Sequence, residues 1–231
     1  MIIGSGLLAN AFTSYLTCQN FIIYASGVSN SKETDINQFT REKEMIINTL
    51  INNPYKHFIY FSTCSIDDKS LKNSTYVIHK QKMENIIRKS AKTYNIFRLP
   101  QVVGKSKAPT LVNYLFRSIL NEKKMNILKS ATRNLIYIDD VFMLSHEILQ
   151  RSLYINTTIN LATPFNIQVT DIIKLIETIV EKKAYYSITN GGSVMNINIS
   201  EIKNLECYDK IFHHSYINNI LLKYYNKDYQ K

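Results

Sequence analysis

The sequence predicts an α/β fold, a mostly parallel sheet with helices on both faces, and three observations carry that reading. Short apolar runs such as Phe21-Ile22-Ile23-Tyr24 and His57-Phe58-Ile59-Tyr60-Phe61 alternate with stretches of helical period, as buried parallel strands joined by crossover helices do. The segment Met1-Ile2-Ile3-Gly4-Ser5-Gly6-Leu7-Leu8-Ala9 runs from an apolar strand through a glycine turn into a helix. Tyr76 and Lys80 then stand four apart on one helix face, just after the run that ends in Ser62-Thr63, close enough to act together.

Taken in order, Leu7, Leu8, Ala11, Phe12 and Tyr15 have helical spacing, and Phe21 to Tyr24 is a buried strand closed by Ala25-Ser26-Gly27. Residues 35–52 form a helix with Phe39, Ile46, Ile47, Leu50 and Ile51 inward and Arg41, Glu42, Lys43 and Glu44 outward, stopped at Asn53-Pro54. The strand at 57–63 follows, then a polar, exposed loop and a helix from about Tyr76 through Met83, Ile86, Ile87 and Tyr94. His79 within it is expected at or near the surface. Residues 95–99 form the next strand, and Pro100 ends its regularity. Pro109 suits a helix first turn, opening a stripe of Leu111, Val112, Leu115, Phe116, Ile119 and Leu120 that suits core or a homodimer face. Strands at 125–128, 133–138 and 158–162 come next. Asp139-Asp140 are placed to cap a helix of Val141, Leu144 and Ile148. Thr170-Asp171 opens a further helix, Gly191-Gly192 a turn, and Ile217, Ile220, Leu221 and Tyr224 mark the last one.

The chemistry starts from Tyr76. A free phenol titrates near pH ~10 and exchanges protons poorly at neutral pH. An adjacent ammonium and a hydroxyl donor favour the phenolate, which makes Tyr76, Lys80 and Thr63 a candidate acid-base group for a substrate alcohol or ketone. Ser62 is the alternative hydroxyl, because adjacent strand residues face opposite ways. Gly4, Ser5 and Gly6 have the spacing at which a dinucleotide pyrophosphate meets a helix N-terminus, with Leu7, Leu8 and the small Ala9 closing helix on sheet.

On the segments 4–9, 58–63, Tyr76-x-x-x-Lys80, Arg98-Leu-Pro-Gln-Val-Val-Gly104 and Arg133-Asn-Leu-Ile-Tyr-Ile-Asp-Asp-Val141, the chain resembles the short-chain dehydrogenase/reductase superfamily. The resemblance is to its extended branch, the NAD-dependent epimerase/dehydratase family of sugar-nucleotide enzymes, and it covers roughly residues 1–180. It implies a Rossmann-like fold with a small C-terminal substrate lobe, about 105–130 and 155–231, within a single domain 1–231. It implies NAD or NADP held by Gly4, Ser5, Gly6, Leu7, Leu8, Ala25, Ser26, Tyr76, Lys80 and Pro100. Thr63, Tyr76 and Lys80 become the catalytic trio; Thr63, Gln101 and Arg133 become substrate contacts, Arg133 for a nucleotide-sugar pyrophosphate.

Two departures shape the expectation. By distance from Gly6 the strand at 21–24 is the second, whose end should carry an acid for the adenosine ribose; Tyr24, Ala25 and Ser26 stand there instead. It matches the family's fourth strand better, so about two βα units on the adenosine side are expected to be missing. Dehydratases of this branch place an acid pair after the Thr, where this chain has Cys64-Ser65. An epimerase or ketoreductase is therefore favoured, with a catalytically impaired nucleotide-sugar-binding accessory protein as the runner-up.

Composition narrows the rest. A length of 231 residues with 45% apolar content suits one large domain. The net charge of +10 comes from dispersed lysines without an arginine-rich arm, so a positive field for anionic small molecules is preferred to nucleic acid. Neither a membrane span nor a leader segment is expected, and three scattered cysteines point to reduced thiols in a cytoplasmic protein with no metal site. Cys64 lacks a placed base and is not expected to be a nucleophile.

Overall fold

The computed structural model describes residues 1–106 and 110–225. Its centre is a parallel sheet of β1 (Ile2–Ile3), β2 (Phe21–Tyr24), β3 (His57–Thr63), β4 (Tyr94–Leu99) and, further along the chain, a strand at 157–160. The first helix, α1 (Leu7–Ala11), and a 3₁₀ turn at 13–15 link β1 to β2. The crossovers β2–β3 and β3–β4 are α2 (Ile36–Asn52) and α3 (Thr75–Ser90). Past Pro100 come β5 (Gln101–Val103), α4 (Leu111–Leu120), β6 (Met125–Leu128), β7 (Thr132–Tyr137) and α5 (Ile138–Gln150). The strand at the far sheet edge is β8 (Thr157–Asn160), and β9 (Asn166–Gln168), α6 (Val169–Val180), β10 (Tyr186–Thr189), α7 (Tyr208–Ile211) and α8 (Tyr216–Tyr224) complete the order.

Alternation along the strands sorts side chains to two faces. Ile22, Tyr24, Phe58, Tyr60 and Ile96 pack with Ile46 and Leu50 of α2 and Met83 and Ile87 of α3. Ile23, Ile59, Phe61 and Phe97 turn the other way, into the core that takes Phe12, Tyr15, Val141, Leu144 and Ile148. Helices thus cover both faces, as a parallel sheet requires.

The sheet order is β1-β2-β3-β4-β8, with every neighbouring pair parallel. In a doubly wound fold the first strand lies at the centre, where the order reverses; here it is the edge. The strands that would extend the sheet past β1 are absent among the described residues, in agreement with reading 21–24 as the strand that follows the switch point. Beyond the main sheet, β5 pairs with β7 in parallel and β7 with β9 antiparallel, while β6 pairs with β10.

Several local expectations shift. Tyr94 opens β4 instead of closing α3, which ends at Ser90. Of the two readings of the α4 stripe, core is the one found: Val112, Leu115, Phe116 and Ile119 are buried. Thr110 caps that helix, and Pro109 lies outside the described residues. Asp139 and Asp140 fall inside the first turn of α5, whose N-cap is Tyr137, so they do not cap it; Asp140 instead accepts a hydrogen bond from the Tyr216 hydroxyl. Glu42, expected at the surface, is fully buried, and His79 is buried with it. Glycines 191 and 192 both adopt positive φ, as a turn there requires.

Candidate active site

Thr63 ends β3, and Tyr76 is the second residue of α3. The Thr63 Oγ1 accepts from the Ser65 amide at 3.1 Å, capping the 3₁₀ turn 64–67 that sends the chain away from the sheet. Tyr76 is 7% exposed, packed near Val28 and Val77, and its hydroxyl has no hydrogen-bond partner among the described residues. Lys80 follows one turn later, its Nζ 5.9 Å from the Tyr76 ring centre. The structure therefore brings Tyr76 and Lys80 to one helix face beside the end of the strand that carries Thr63.

Lys80 is not free. Its Nζ donates to Glu42 Oε1 and to the Tyr60 hydroxyl, each at 3.0 Å, and the residue is only 2% exposed. Glu42 reaches in from α2 and accepts four hydrogen bonds: from Lys80, from Tyr60 at 2.7 Å, from the Val28 amide at 2.7 Å and from His79 Nε2 at 2.9 Å. Burial alone would push the Glu42 carboxyl up; the Lys80 charge, with the donors on His79, Val28 and Tyr60, outweighs it and holds the group at about 2. Tyr60 goes the other way, pushed well up by burial and by the adjacent Glu42 charge. Gly27 closes the network: a Cβ there would stand 2.7 Å from Lys80 Nζ and 2.8 Å from Glu42 Oε1.

The glycine turn is built for close approach. Gly4 has φ +125°, and a Cβ there would stand 2.5 Å from the Ala25 carbonyl oxygen. At Gly6 a Cβ would meet nothing within 4 Å, so open space lies in front of the turn. Leu7 and Leu8 begin α1, and the Leu7 side chain packs where Gly104 leaves room. Ala25 extends β2 by donating its amide to Ile3. Ser26 is covered by Arg41, which donates to its hydroxyl at 3.3 Å and its carbonyl at 3.1 Å. Pro100 separates β4 from β5, and Gln101 opens β5.

Arg133 lies on β7 and donates to the Thr132 carbonyl at 2.6 Å. Burial pulls its guanidinium down, opposed by the charge of Asp68. Asp68, from the loop after β3, accepts from the Ser193 hydroxyl at 3.1 Å, so that loop touches the segment after β10. The Cys64 thiol is pushed up by burial and by Asp67, the opposite of what a nucleophile needs. Among the described residues no three His, Cys, Asp or Glu side chains gather as a metal site would require, and no helix is long and apolar enough to cross a membrane.

Residues 21–162 match the family model described as "NAD dependent epimerase/dehydratase family", more than half of the chain. The chain belongs to that family of enzymes. No curated protein matches it by sequence. Solved structures of similar fold include UDP-glucuronic acid 4-epimerase from Bacillus cereus, at 18% identity and TM-score 0.76 over 99% of this chain and 81% of that one. UDP-glucose 4-epimerase from Thermotoga maritima is similar at 16% identity and TM-score 0.69, covering 98% of this chain and 84% of that one. For dTDP-glucose 4,6-dehydratase from Bacillus anthracis, solved with NAD, the values are 13% and 0.70 over 96% and 77%. The epimerase/dehydratase match begins at β2, so the glycine turn lies outside it.

Sequence reasoning missed Glu42, Tyr60 and Gly27 as parts of the site. A signal for Glu42 was present: Phe39, Glu42, Ile46 and Leu50 share a helical stripe, which places Glu42 on the apolar face.

Proposed function

We propose that the chain is an NAD(P)-dependent oxidoreductase of sugar nucleotides, of epimerase or ketoreductase type, with Tyr76 as its acid-base group. The observation that carries the reading is the Tyr76 phenol without an internal partner at the end of β3, in a chain of the epimerase/dehydratase family. Gly4, Ser5 and Gly6 fit a pyrophosphate, since the bare Gly6 Cα faces open space and backbone amides at such a turn favour anions. On the adenosine side no described strand flanks β1, so the fit is to the pyrophosphate and nicotinamide portion.

A bound nicotinamide supplies the hydride acceptor. Tyr76 exchanges a proton with the substrate hydroxyl at the carbon being oxidised, and Thr63, whose Oγ1 already accepts from Ser65, offers its O–H to the same oxygen. Arg133 presents a planar fork suited to the diphosphate of the nucleotide. Ala25, Ser26 and Pro100 are assigned to the cofactor and Gln101 to the sugar, on the family resemblance.

Calorimetry with NAD, NADH, NADP and NADPH tests the cofactor, with saturable binding expected and Gly6→Asp abolishing it. Binding of none of the four by the wild-type chain overturns the reading. The second reading, a nucleotide-sugar-binding accessory protein, is favoured by one observation: Lys80 is committed to Glu42. Tight nucleotide-sugar binding without dinucleotide binding would select it.

A further inference from the structure

We infer that Glu42 is a positioning residue that occupies Lys80 in place of a bound cofactor, so that the Lys80 ammonium is withdrawn from the groove in which Tyr76 works. This rests on the proposed function for its catalytic meaning, but the geometry stands independently. A lysine one turn after the tyrosine reaches a cofactor in the groove only if its ammonium is open to it. Here it is 2% exposed, with Glu42 and Tyr60 each at 3.0 Å. The loop 26–28 lies over it, close enough that any side chain at position 27 would collide with Lys80 and Glu42. The Val28 amide donates to the second Glu42 oxygen, tying that loop to the same carboxylate. The pair is electrically neutral where Tyr76 needs a cation, so Tyr76 works beside a compensated charge.

The groups facing this pair come from every packed element: Tyr60 from β3, Tyr24 from β2 through the Glu42 carbonyl, His79 and Tyr76 from α3, and the 26–28 loop with Arg41 at its rim. The one other acid nearby, Glu84 on α3, also bears on Tyr60 but is held by Arg88 at 2.6 Å and Arg98 at 2.9 Å, so Glu42 is the carboxylate that balances Lys80. Removing it leaves a buried ammonium without a counter-charge, and such a group releases its proton in the folded state at a lower pH than in the unfolded chain. The unfolded state then binds more protons, and stability rises with pH.

The test is urea unfolding of the full chain between pH 6 and 9. In Glu42→Gln the midpoint should climb with pH more steeply than in the wild type, whose N-terminal amine and His57, both lowered by burial, already give it some slope. Adding Lys80→Met should remove the extra climb. A Glu42→Gln slope no steeper than the wild type's overturns the inference, because something other than Glu42 then holds the charge. A second arm uses Glu42→Leu/Lys80→Met, which replaces the buried pair with apolar groups and so keeps the fold if either single variant fails. Its NADH affinity should lie within about twofold of wild type, about 0.4 kcal/mol; a tenfold loss overturns the inference by showing that Lys80 holds the cofactor. If the wild type binds no dinucleotide, the proposed function falls and the pH profile still decides the role of Glu42.

Discussion

Tyr76 and Lys80 are separated by one helical turn and meet opposite environments. The tyrosine hydroxyl has no internal partner, whereas the lysine ammonium is held by Glu42 and Tyr60 in a sealed network. Spacing on α3 fixes where the two side chains stand. The charge on Lys80 is balanced by a residue 38 positions away on another helix. A four-residue motif therefore specifies geometry, and the elements packed against it specify chemistry.

The contrast breaks most visibly at the open side. Tyr76→Phe should lower turnover about 10²–10⁴-fold, the usual contribution of an acid-base group, while leaving the unfolding midpoint unchanged; steady-state rates on UDP- or dTDP-sugars beside a urea titration check both halves. An unchanged rate removes Tyr76 from the mechanism.

At the sealed side the first effect is on stability. Glu42→Leu strands a buried ammonium and should cost about 3–5 kcal/mol, whereas Glu42→Leu/Lys80→Met should recover most of it, because a well-packed apolar pair can replace a buried ion pair. Chemical denaturation of the single and double variants measures the difference.

Acid should reach the same network. The folded Glu42 carboxyl, held at about 2, lies below its unfolded value, so its contribution is complete above roughly pH 4.5 and is lost as pH falls toward 2. That contribution is about 3 kcal/mol, and the loss should be missing from Glu42→Gln when unfolding is followed between pH 5 and 2.

Smaller effects belong to the substrate side. Arg133→Ala should weaken UDP binding by about 1.5–3 kcal/mol, the value of a charged hydrogen bond, as read by calorimetry; unchanged affinity leaves Arg133 a structural role. Cys64→Ala should leave turnover within about twofold, since a thiol raised by burial is no nucleophile.

Most of the fold was legible because its signals are local. Short apolar runs fell on strands and period-3.6 stripes on helices, as at His57–Thr63 and Ile36–Asn52. The missing units were legible too, from an Ala25-Ser26 strand end standing too soon after Gly6. The Glu42 network was not, because a charged Arg-Glu-Lys-Glu run reads as a solvated face unless helical phase is weighed against polarity. Burying Glu42 depends on Lys80, His79, Tyr60 and the Val28 amide converging from three other segments, and no local pattern announces a convergence. The start of α5 was misplaced for a simpler reason: Asp139 and Asp140 suit a cap or a first turn equally well, and the helix begins at Ile138, before both of them.

An edge strand in a parallel sheet exposes unpaired backbone to other chains. In β1 the carbonyls of Met1 and Ile3 accept from Ile23 and Ala25, which leaves Ile2 as the residue whose peptide groups point outward. A strand of two residues is too short a template for recruiting a foreign strand. Among the described residues, this sheet edge therefore exposes little adhesive backbone and offers a poor template for fibre-like growth from that side.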